Sequence, residues 1–259
     1  MEFGTLTSKI ATAAALSVIL LAGVTPASAA DAEQPPAQDW KFSGPFGRFD
    51  IPAIQRGLQV YLQVCSACHS LNQLAYRNLS EIGFNKEEIK AIAASHEVTD
   101  GPNDQGEMYQ RPARPADKFV PPFPNAQAAR VANNGALPPD LSLIAKATPA
   151  GPDFIYAILT GFAEAPADVK LAEGMNYNPY FPGKQIAMPP PLYEDSVEYA
   201  DGTKATVQQM AWDVSNFLQW AAEPKMQERK TLGWKVVLFL LVLSAILYAT
   251  KRKVWSKLH

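Results

Sequence analysis

Both cysteines of the 259-residue chain stand in one short stretch, YLQVCSACHSLNQ (61–73), and a histidine follows the second of them. Two thiols separated by two residues, Cys65 and Cys68, could form a reducible disulfide, supply half of a zinc site, or form thioether bonds to the vinyl groups of a haem. In the third case the adjacent His69 would ligate the haem iron from one face. Each chemistry needs different partners elsewhere in the chain.

The rest of the sequence favours haem attachment. Structural zinc sites usually have four ligands, but the other two histidines, His96 and His259, are isolated in the sequence. A thioredoxin-like redox pair normally lies in a βαβ setting, and strand-like alternation is nearly absent here. A disulfide between residues three apart closes a very small loop and stabilises a fold little. We therefore predict one haem c, bound covalently by both cysteines, with His69 as an axial ligand.

The residues alone leave the second axial position of the iron open. A methionine there favours electron transfer, whereas an open position favours gas binding or peroxide chemistry. Met188 has the best context, because the three prolines that follow it in IAMPPP would stiffen its loop. Met210 lies in an apolar stripe typical of a core. The remaining alternatives are Met108, Met175, His96 and an open site.

The first 30 residues predict an export signal. Lys9 precedes the apolar run IATAAALSVILLAGV, and Ala27 and Ala29 have the spacing of small residues that a signal peptidase cleaves after. A retained N-terminal membrane anchor is the alternative. Export agrees with haem attachment, which bacteria carry out outside the cytoplasm.

Residues 225–259 predict a membrane anchor with a short cytoplasmic tail. The 19 residues from 232 to 250 carry a single charge, Lys235, and about 20 apolar residues span a bilayer as a helix. The tail KRKVWSKLH has four basic residues and no acid, and such tails remain on the cytoplasmic side. A bacterial inner-membrane protein with its C-terminus inside and residues 31–224 in the periplasm is therefore expected. A buried core helix is the alternative.

The predicted periplasmic part is acidic. Residues 31–224 contain 14 Lys+Arg and 23 Asp+Glu, a balance of −9, while the remaining residues carry +7. Such a surface attracts basic proteins and disfavours nucleic acid. The acids expected to contact a basic partner are Glu97, Asp100, Asp104 and Glu107, or Glu164 and Glu173.

Apolar periodicity and capping residues predict a mostly α fold with long loops. Helices are expected from Ile51 into the cysteines and over 85–96, 126–134, 153–162 and 206–222, with Asn85 as an N-cap and with Thr206 and Gln209 as a capping box. Loops are expected over 99–125 and 163–205, in a chain with 22 prolines against 15 glycines. A large apolar cofactor would hold such loops in place.

Several blocks of the sequence resemble the cytochrome c1 family in its bacterial form. VCSACHS, DGPNDQGEM, AARVANNGALPPDLS, NPYFPG, IAMPPPLY, DVSNFLQWAAEP and the C-terminal span occur in the family's order, from about residue 40 to 257. The resemblance implies an elaborated class I cytochrome c domain, with its first and last soluble helices crossing beside the haem. It also makes Met188 the match to the family's axial methionine.

The resemblance further implies a role, partners and a haem pocket. The subunit would pass electrons from a Rieske iron–sulfur protein to a soluble or anchored cytochrome c, within a dimeric complex containing cytochrome b, and would not be an enzyme on its own. The implied pocket residues are Asn133, Ala136, Pro138, Pro139, Leu141, Ile144, Phe181 and Ile186. A free-standing membrane-anchored cytochrome, or a haem peroxidase or gas-binding protein with an open iron, are the alternative functions.

Two positions depart from the family's pattern. Thr148 stands where the family often has an arginine that reaches a haem propionate, and Lys146 or Arg130 could serve instead. Phe154 stands where some relatives have a tyrosine, so a hydroxyl near the same haem edge is lost. These departures concern the propionates and leave the expected iron ligands unchanged.

Overall fold

A computed structural model describes residues 32–256 of the chain. The predicted export signal, residues 1–30, and His259 lie outside the described residues. The expected mostly α fold with long loops and few strands is confirmed. The helices are α1 (Ile51–Gln63), α2 (Lys86–Ala94), α3 (Ala126–Ala132), α4 (Ile144–Ala147), α5 (Pro152–Thr160), α6 (Val207–Ala222) and α7 (Met226–Trp255), and the strands are β1 (Glu97–Asp100), β2 (Tyr109–Pro112), β3 (Asn176–Tyr177) and β4 (Gln185–Ile186).

Helices α1 and α6 pack against each other at the centre of the fold. A Cβ added at Gly57 would lie 2.1 Å from the backbone oxygen of Asp213, so only glycine allows this close approach. The fully buried Asp213 carboxylate accepts two hydrogen bonds of 2.9 Å from the guanidinium of Arg56 and one of 3.0 Å from Gln209. This buried pair fixes the position of α1, and therefore of the cysteines that follow it.

Aromatic side chains fill the core around the end of α1. The Tyr61 ring packs against Phe217 and Phe119, with ring centroids 5.8 Å and 6.1 Å away. Burying one such large apolar side chain contributes roughly 1.5–3 kcal/mol. The Tyr61 hydroxyl, in turn, donates a hydrogen bond of 3.0 Å to the carbonyl oxygen of His69. The core thus reaches directly to the backbone of the cysteine–histidine motif.

The expectation that residues 99–125 form one long loop is wrong in part, because residues 99–100 and 109–112 lie in strands. Strands β1 and β2 pair antiparallel from Glu97 opposite Pro112 to Asp100 opposite Tyr109. Their residues are mostly exposed and do not alternate between apolar and polar, so the usual sequence signal of a strand is missing. The guanidinium of Arg111 binds the carboxylates of Asp100 and Asp117. These ion pairs hold the hairpin together, a task that an apolar face performs in most sheets.

Several predicted boundaries need smaller corrections. Residues 163–205 include the short pair β3–β4, and α3 ends at Ala132, two residues earlier than expected. Asn85 caps α2 as expected, since its side chain accepts from the amide of Glu88. Thr206 also caps its helix, but the Gln209 side chain binds Asp213 and does not complete a capping box.

Helix α7 contains the predicted membrane anchor. It runs for 30 residues, beginning six residues before the apolar stretch, and it is the one helix within residues 32–256 that is long and apolar enough to cross a membrane. The expected C-terminal helix of this kind is confirmed. The alternative of a buried core helix is wrong, because the side chains from Thr231 to Ser256 are exposed.

Candidate haem site

A single helical turn presents both cysteines and the histidine. Helix α1 ends at Gln63, and a 3-10 turn over Cys65–Ala67 follows it. The amides of Cys68 and His69 both donate to the carbonyl oxygen of Cys65, at 3.1 Å and 2.9 Å. Both thiols are free, with Cys65 partly buried and Cys68 exposed. Both thiols and the imidazole are therefore held within one rigid turn.

The environment of the thiols does not favour the disulfide or zinc alternatives. Desolvation, with a smaller effect of Cys68, raises the pKa of the Cys65 thiol to about 12. Thiol–disulfide exchange requires an attacking thiolate, so this pKa makes Cys65 a poor attacking group. Within residues 32–256 no group of three or more His, Cys, Asp or Glu side chains comes together as metal ligands. The donor set fits the covalent attachment of a haem better than either alternative.

His69 is oriented as a metal ligand. Its Nδ1 lies 2.8 Å from the carbonyl oxygen of Pro139. Because a carbonyl can only accept, Nδ1 carries the proton and Nε2 keeps its lone pair. Burial lowers the pKa of His69, although the bond to Pro139 and the charge of Asp140 partly oppose this effect. The neutral imidazole that results is the form that binds metals.

Asp140 joins the histidine segment to the segment that carries Pro139. One carboxylate oxygen accepts from the Ser70 hydroxyl at 2.7 Å and from the Asn72 amide at 2.8 Å. The other accepts from the Ser142 amide at 2.9 Å, and the Leu141 amide donates to the Ser70 carbonyl at 2.9 Å. Sequence reasoning missed Asp140, although an Asp two residues before Ser is typical of a turn in which the carboxylate binds the backbone.

The predicted pocket residues between α3 and α4 form one continuous segment beside His69. Asn133 is the C-terminal cap of α3, and Ile144 is the first residue of α4. The pocket residues are mostly half-buried or exposed, and only Leu141 belongs to the core. Apolar side chains in this segment stay open, with Leu137 44% and Leu143 51% exposed. A large apolar cofactor bound to His69 would cover such a surface.

Met188 lies in a second segment, tied to α5. Strands β3 and β4 pair Asn176 with Ile186, and the Asn176 side chain donates to the Met188 carbonyl at 3.3 Å. Fully buried Asn178 donates from its side chain to the Ile158 carbonyl of α5 at 2.8 Å. Of the predicted residues here, Ile186 is buried, whereas Phe181 and Met188 are half-buried.

A cavity of about 560 Å³ lies beside the methionine segment. Its lining includes Leu159 in the last turn of α5, Phe162 just after that helix, Met175 and Tyr177 around β3, and Pro190, two residues after Met188. Residues 65–69 do not line it, and within residues 32–256 no hydrogen bond joins the motif to residues 176–190. Hydrogen bonds thus join the histidine motif to its predicted pocket segment but not to the segment of Met188.

The other proposed axial ligands have different surroundings. Met210 is fully buried and accepts from the Ser196 hydroxyl at 3.5 Å, as expected for a core residue. Met108 is 60% exposed in the connection between β1 and β2. The His96 ring packs 5.7 Å from the Tyr76 ring, between centroids. Of the alternatives, only Met175 lies next to the segment of Met188, through the cavity that both flank.

Each residue considered for a propionate contact has a partner within the protein. The Thr148 hydroxyl donates to the Ile144 carbonyl at 2.8 Å, and the Lys146 ammonium lies 3.9 Å from Glu223. The Arg130 guanidinium donates to the Gly135 carbonyl at 3.0 Å. Arg130 therefore lies against the pocket segment, while Lys146 faces the end of α6.

Comparison with known proteins identifies one family. The model of the Cytochrome C1 family matches residues 40–258. A protein of Rhodospirillum rubrum named "Cytochrome c1" is 50% identical over 234 residues, which cover 84% of this chain and 86% of that protein. A protein of Arabidopsis thaliana named "Cytochrome c1 1, heme protein, mitochondrial" is 49% identical, over 92% of this chain and 79% of that protein.

A further relative is a longer protein. The Bradyrhizobium diazoefficiens protein named "Cytochrome b/c1" is 48% identical over 249 residues. The aligned region covers 88% of this chain but only 36% of that protein. The chain thus corresponds to about a third of this relative and to most of the other two.

Proposed function

Because this chain belongs to the cytochrome c1 family, we propose that it is the haem-carrying electron-transfer subunit of a membrane-bound respiratory cytochrome bc1 complex. The resemblance seen in the sequence is confirmed by the family match. The cofactor is one haem c, bound through Cys65 and Cys68, and relatives are named heme proteins. The observation that carries the proposal is the bond between His69 Nδ1 and Pro139, which leaves Nε2 available for the iron.

When bound, the haem supplies an iron that changes oxidation state by one electron. The chain contributes by holding the iron ligands still. Because the ligands then move little between the two oxidation states, the reorganisation that accompanies electron transfer is small. The Pro139 carbonyl fixes the ring of His69, and Asp140 fixes the segment that carries Pro139. Around a bound haem, the apolar pocket residues would keep water away and so favour the less charged ferrous state. Such a site transfers electrons and does not catalyse a reaction by itself.

Met188 is the proposed second axial ligand. A thioether raises the reduction potential and suits electron transfer better than an open position does. Its segment is stiffened by Pro189, Pro190 and Pro191, and Asn176 and Asn178 attach the segment to the fold. This assignment rests on the family pattern together with the half-buried position of Met188.

Cytochrome b is the best supported partner, because a relative is named "Cytochrome b/c1". The Rieske iron–sulfur protein as donor, a basic soluble or anchored cytochrome c as acceptor, and a dimeric complex are proposed from the family resemblance. The acidic surface would attract the acceptor. The Arg111 guanidinium forms an ion pair with Asp100. The other acids predicted to contact the acceptor are exposed, and they are Glu97, Asp104, Glu107, Glu164 and Glu173.

Helix α7 is the proposed single-pass anchor in a bacterial cytoplasmic membrane. Pro224 lies between α6 and α7, and the fold supports a boundary there between a haem domain (31–224) and an anchor (225–259). The basic residues at the far end of α7 favour a cytoplasmic C-terminus, which would put the haem domain in the periplasm.

Purification in a mild detergent tests this function. We expect cytochrome b to copurify with the chain, a reduced spectrum that includes haem c, and covalent haem on this chain in a denaturing gel. The reduced haem c should not bind carbon monoxide. A chain that purifies alone would be a free-standing anchored cytochrome, and carbon monoxide binding by the native protein would indicate an open iron. Either result would contradict the proposal.

A further inference from the structure

A groove lies where the N-terminal segment meets the start of α7. It encloses about 710 Å³. Its walls are the loop from Pro45 to Arg48 and the first turns of α7, with Lys230, Trp234 and Lys235 among the lining residues. We call it the interfacial groove, because the apolar stretch of α7 begins within it at Leu232. It is distant in the sequence from the cysteines and is not part of the proposed haem site.

The charges of the interfacial groove do not balance. Among residues 32–256, no carboxylate lies within ion-pair distance of Arg48 or Lys235, and the ammonium of Lys230 donates to the Phe42 carbonyl at 2.5 Å. The one acid in the lining, Glu228, is paired with Lys225 at 3.1 Å. The groove therefore presents excess positive charge, which an anionic ligand would neutralise.

Two exposed aromatic side chains mark the same place. The rings of Phe46 and Trp234 meet edge to face, with centroids 5.7 Å apart, although Phe46 is 71% and Trp234 57% exposed. Aromatic residues with this exposure at the start of an apolar span settle at the headgroup level of a bilayer. The positive charges and the aromatic pair thus lie at the depth where lipid phosphates are found.

We propose that the interfacial groove binds the headgroup of an anionic membrane phospholipid, at the end of α7 nearest the soluble domain. Arg48 and Lys235 contact the phosphate, and the acyl chains follow the exposed apolar side chains of α7 such as Leu238. Lys235 lies within the apolar stretch, so its long stem reaches back toward the groove. A lipid fits better than free phosphate, because the basic groove continues directly into the apolar surface. The proposal rests on the membrane insertion of α7.

Lipid retention by the purified complex tests the site. The complex is reconstituted in nanodiscs of phosphatidylcholine with one fifth phosphatidylglycerol, and the lipids that remain after detergent washing are counted by native mass spectrometry. The double variant Arg48→Gln, Lys235→Gln should lose preference for phosphatidylglycerol by about tenfold, since each basic residue near a membrane surface attracts anionic lipid. The double variant Lys86→Gln, Lys90→Gln is the matched control, because it removes two exposed positive charges outside the groove and should retain the preference.

A photo-crosslinking amino acid in place of Phe46 identifies the occupant directly. Adducts with phosphatidylglycerol support the proposal, whereas adducts with a protein would overturn it in favour of a subunit contact. Equal retention of both lipids by the native complex, or an equal effect of the double variant Lys86→Gln, Lys90→Gln, would also overturn it. Haem spectra are recorded for every variant. If the double variant Arg48→Gln, Lys235→Gln has an altered spectrum, the single variant Lys235→Gln is tested in its place. If the lipid test fails while the haem spectra are normal, the lipid proposal is overturned and the electron-transfer proposal is unaffected.

Discussion

The two segments proposed to supply the axial ligands are held by different amounts of structure. Around His69, the segment 69–73 is bonded to residues 139–142 through the ring, the backbone and the Asp140 carboxylate. Around Met188, the segment 176–190 is held by a two-residue strand pair, by the 3.3 Å hydrogen bond from Asn176 to the Met188 carbonyl and by the buried Asn178. The amides of Glu33 and Ala172 add one hydrogen bond each, to the Pro179 carbonyl and the Gln185 side chain. The segment of His69 (the histidine half) is thus held firmly by the chain's own hydrogen bonds, whereas the segment of Met188 (the methionine half) is held more loosely.

This difference predicts how the site tolerates damage. A ligand oriented by several hydrogen bonds keeps its geometry when the other ligand is lost. A ligand on a lightly attached loop can leave the iron with local opening of that loop and without global unfolding. Changes on the histidine side should therefore affect the whole domain, and changes on the methionine side should affect the coordination of the iron.

The largest effect is expected from removing the covalent anchor. Replacing Cys65 and Cys68 by serine should abolish covalent haem binding, because a hydroxyl does not form the thioether bond. Haem staining on a denaturing gel measures this loss. Ser66→Ala is the matched control within the motif, since Ser66 only donates to the Leu62 carbonyl at 2.8 Å. Covalent haem on the double variant would show that the attachment lies elsewhere.

Replacing the proposed methionine should change the coordination while haem remains attached. Met188→Leu keeps the volume and loses the sulfur, so its reduced form should bind carbon monoxide and its reduction potential should fall. Difference spectra and a redox titration measure both changes. Met175→Leu is the control from the neighbouring cavity wall, and it should behave as the native protein does. The opposite pattern would assign the ligand to Met175.

Local features of this fold could be read from the sequence. The cysteine–histidine turn, the Asn85 cap and the apolar stretch of α7 depend on residues close together in the chain, so their patterns are visible in it. Met188 as the second axial ligand remains a prediction, because the prolines after it only favoured it over the other methionines and the assignment itself came from the family resemblance.

Two of the missed features, Asp140 and Gly57, depend on distant residues, and the third, the hairpin β1–β2, depends on charges close together in the chain. Asp140 binds Ser70 and Asn72, which are 70 and 68 positions away, and nothing local distinguishes it from any other acid in a turn. The hairpin β1–β2 is closed by Arg111 and two carboxylates, which replace the apolar alternation that would predict it. Gly57 matters only because Asp213 passes over it. Such contacts become visible only when the chain is folded.

On the histidine side, Asp140→Ala should destabilise the whole domain. It removes three hydrogen bonds and leaves their donors to find other partners, so the free energy of unfolding should fall by about 1–3 kcal/mol. Chemical denaturation measures the loss, and Asp140→Asn, which keeps one acceptor oxygen, should lose less. An unchanged stability of Asp140→Ala would mean that the 69–73 and 139–142 segments are held together by other contacts.

The carboxyl group of Asp140 should also make the free energy of unfolding depend on pH. Burial alone would raise the pKa of its carboxyl, but hydrogen bonds from Ser142, Asn72 and Ser70 outweigh burial and lower the pKa below its usual 3.8. A lowered pKa in the folded state gives stability that is present above pH 3.8 and is lost as the pH falls below it. Unfolding of Asp140→Asn should therefore depend less on pH in this acidic range than unfolding of the native protein, as measured by thermal melts.

On the methionine side, Asn178→Ala should act locally. It removes the buried bond to the Ile158 carbonyl and so loosens the loop of Met188 from α5. We expect partial binding of carbon monoxide by the reduced protein, with a smaller loss of global stability than Asp140→Ala causes. Asn176→Ala, which removes only the 3.3 Å bond to Met188, provides a milder variant for comparison. If Asn178→Ala and Asp140→Ala reduced the global stability equally, the distinction between the histidine half and the methionine half would be wrong.

The smallest effect is expected at the acidic surface, and it bears on which region a basic cytochrome c approaches. Glu164 and Glu173 lie in the loop after α5, next to the methionine segment, whereas Glu97 and Glu107 lie on the hairpin; all four are exposed. Neutralising the pair at the docking face should slow association about two- to threefold at low salt and reduce its salt dependence. Stopped-flow rates over a range of ionic strength separate the two pairs.

If neither pair matters and the native rate does not depend on salt, electrostatic attraction does not guide the partner. If only Glu164 and Glu173 matter, the more loosely held half of the site also lies nearer the docking surface.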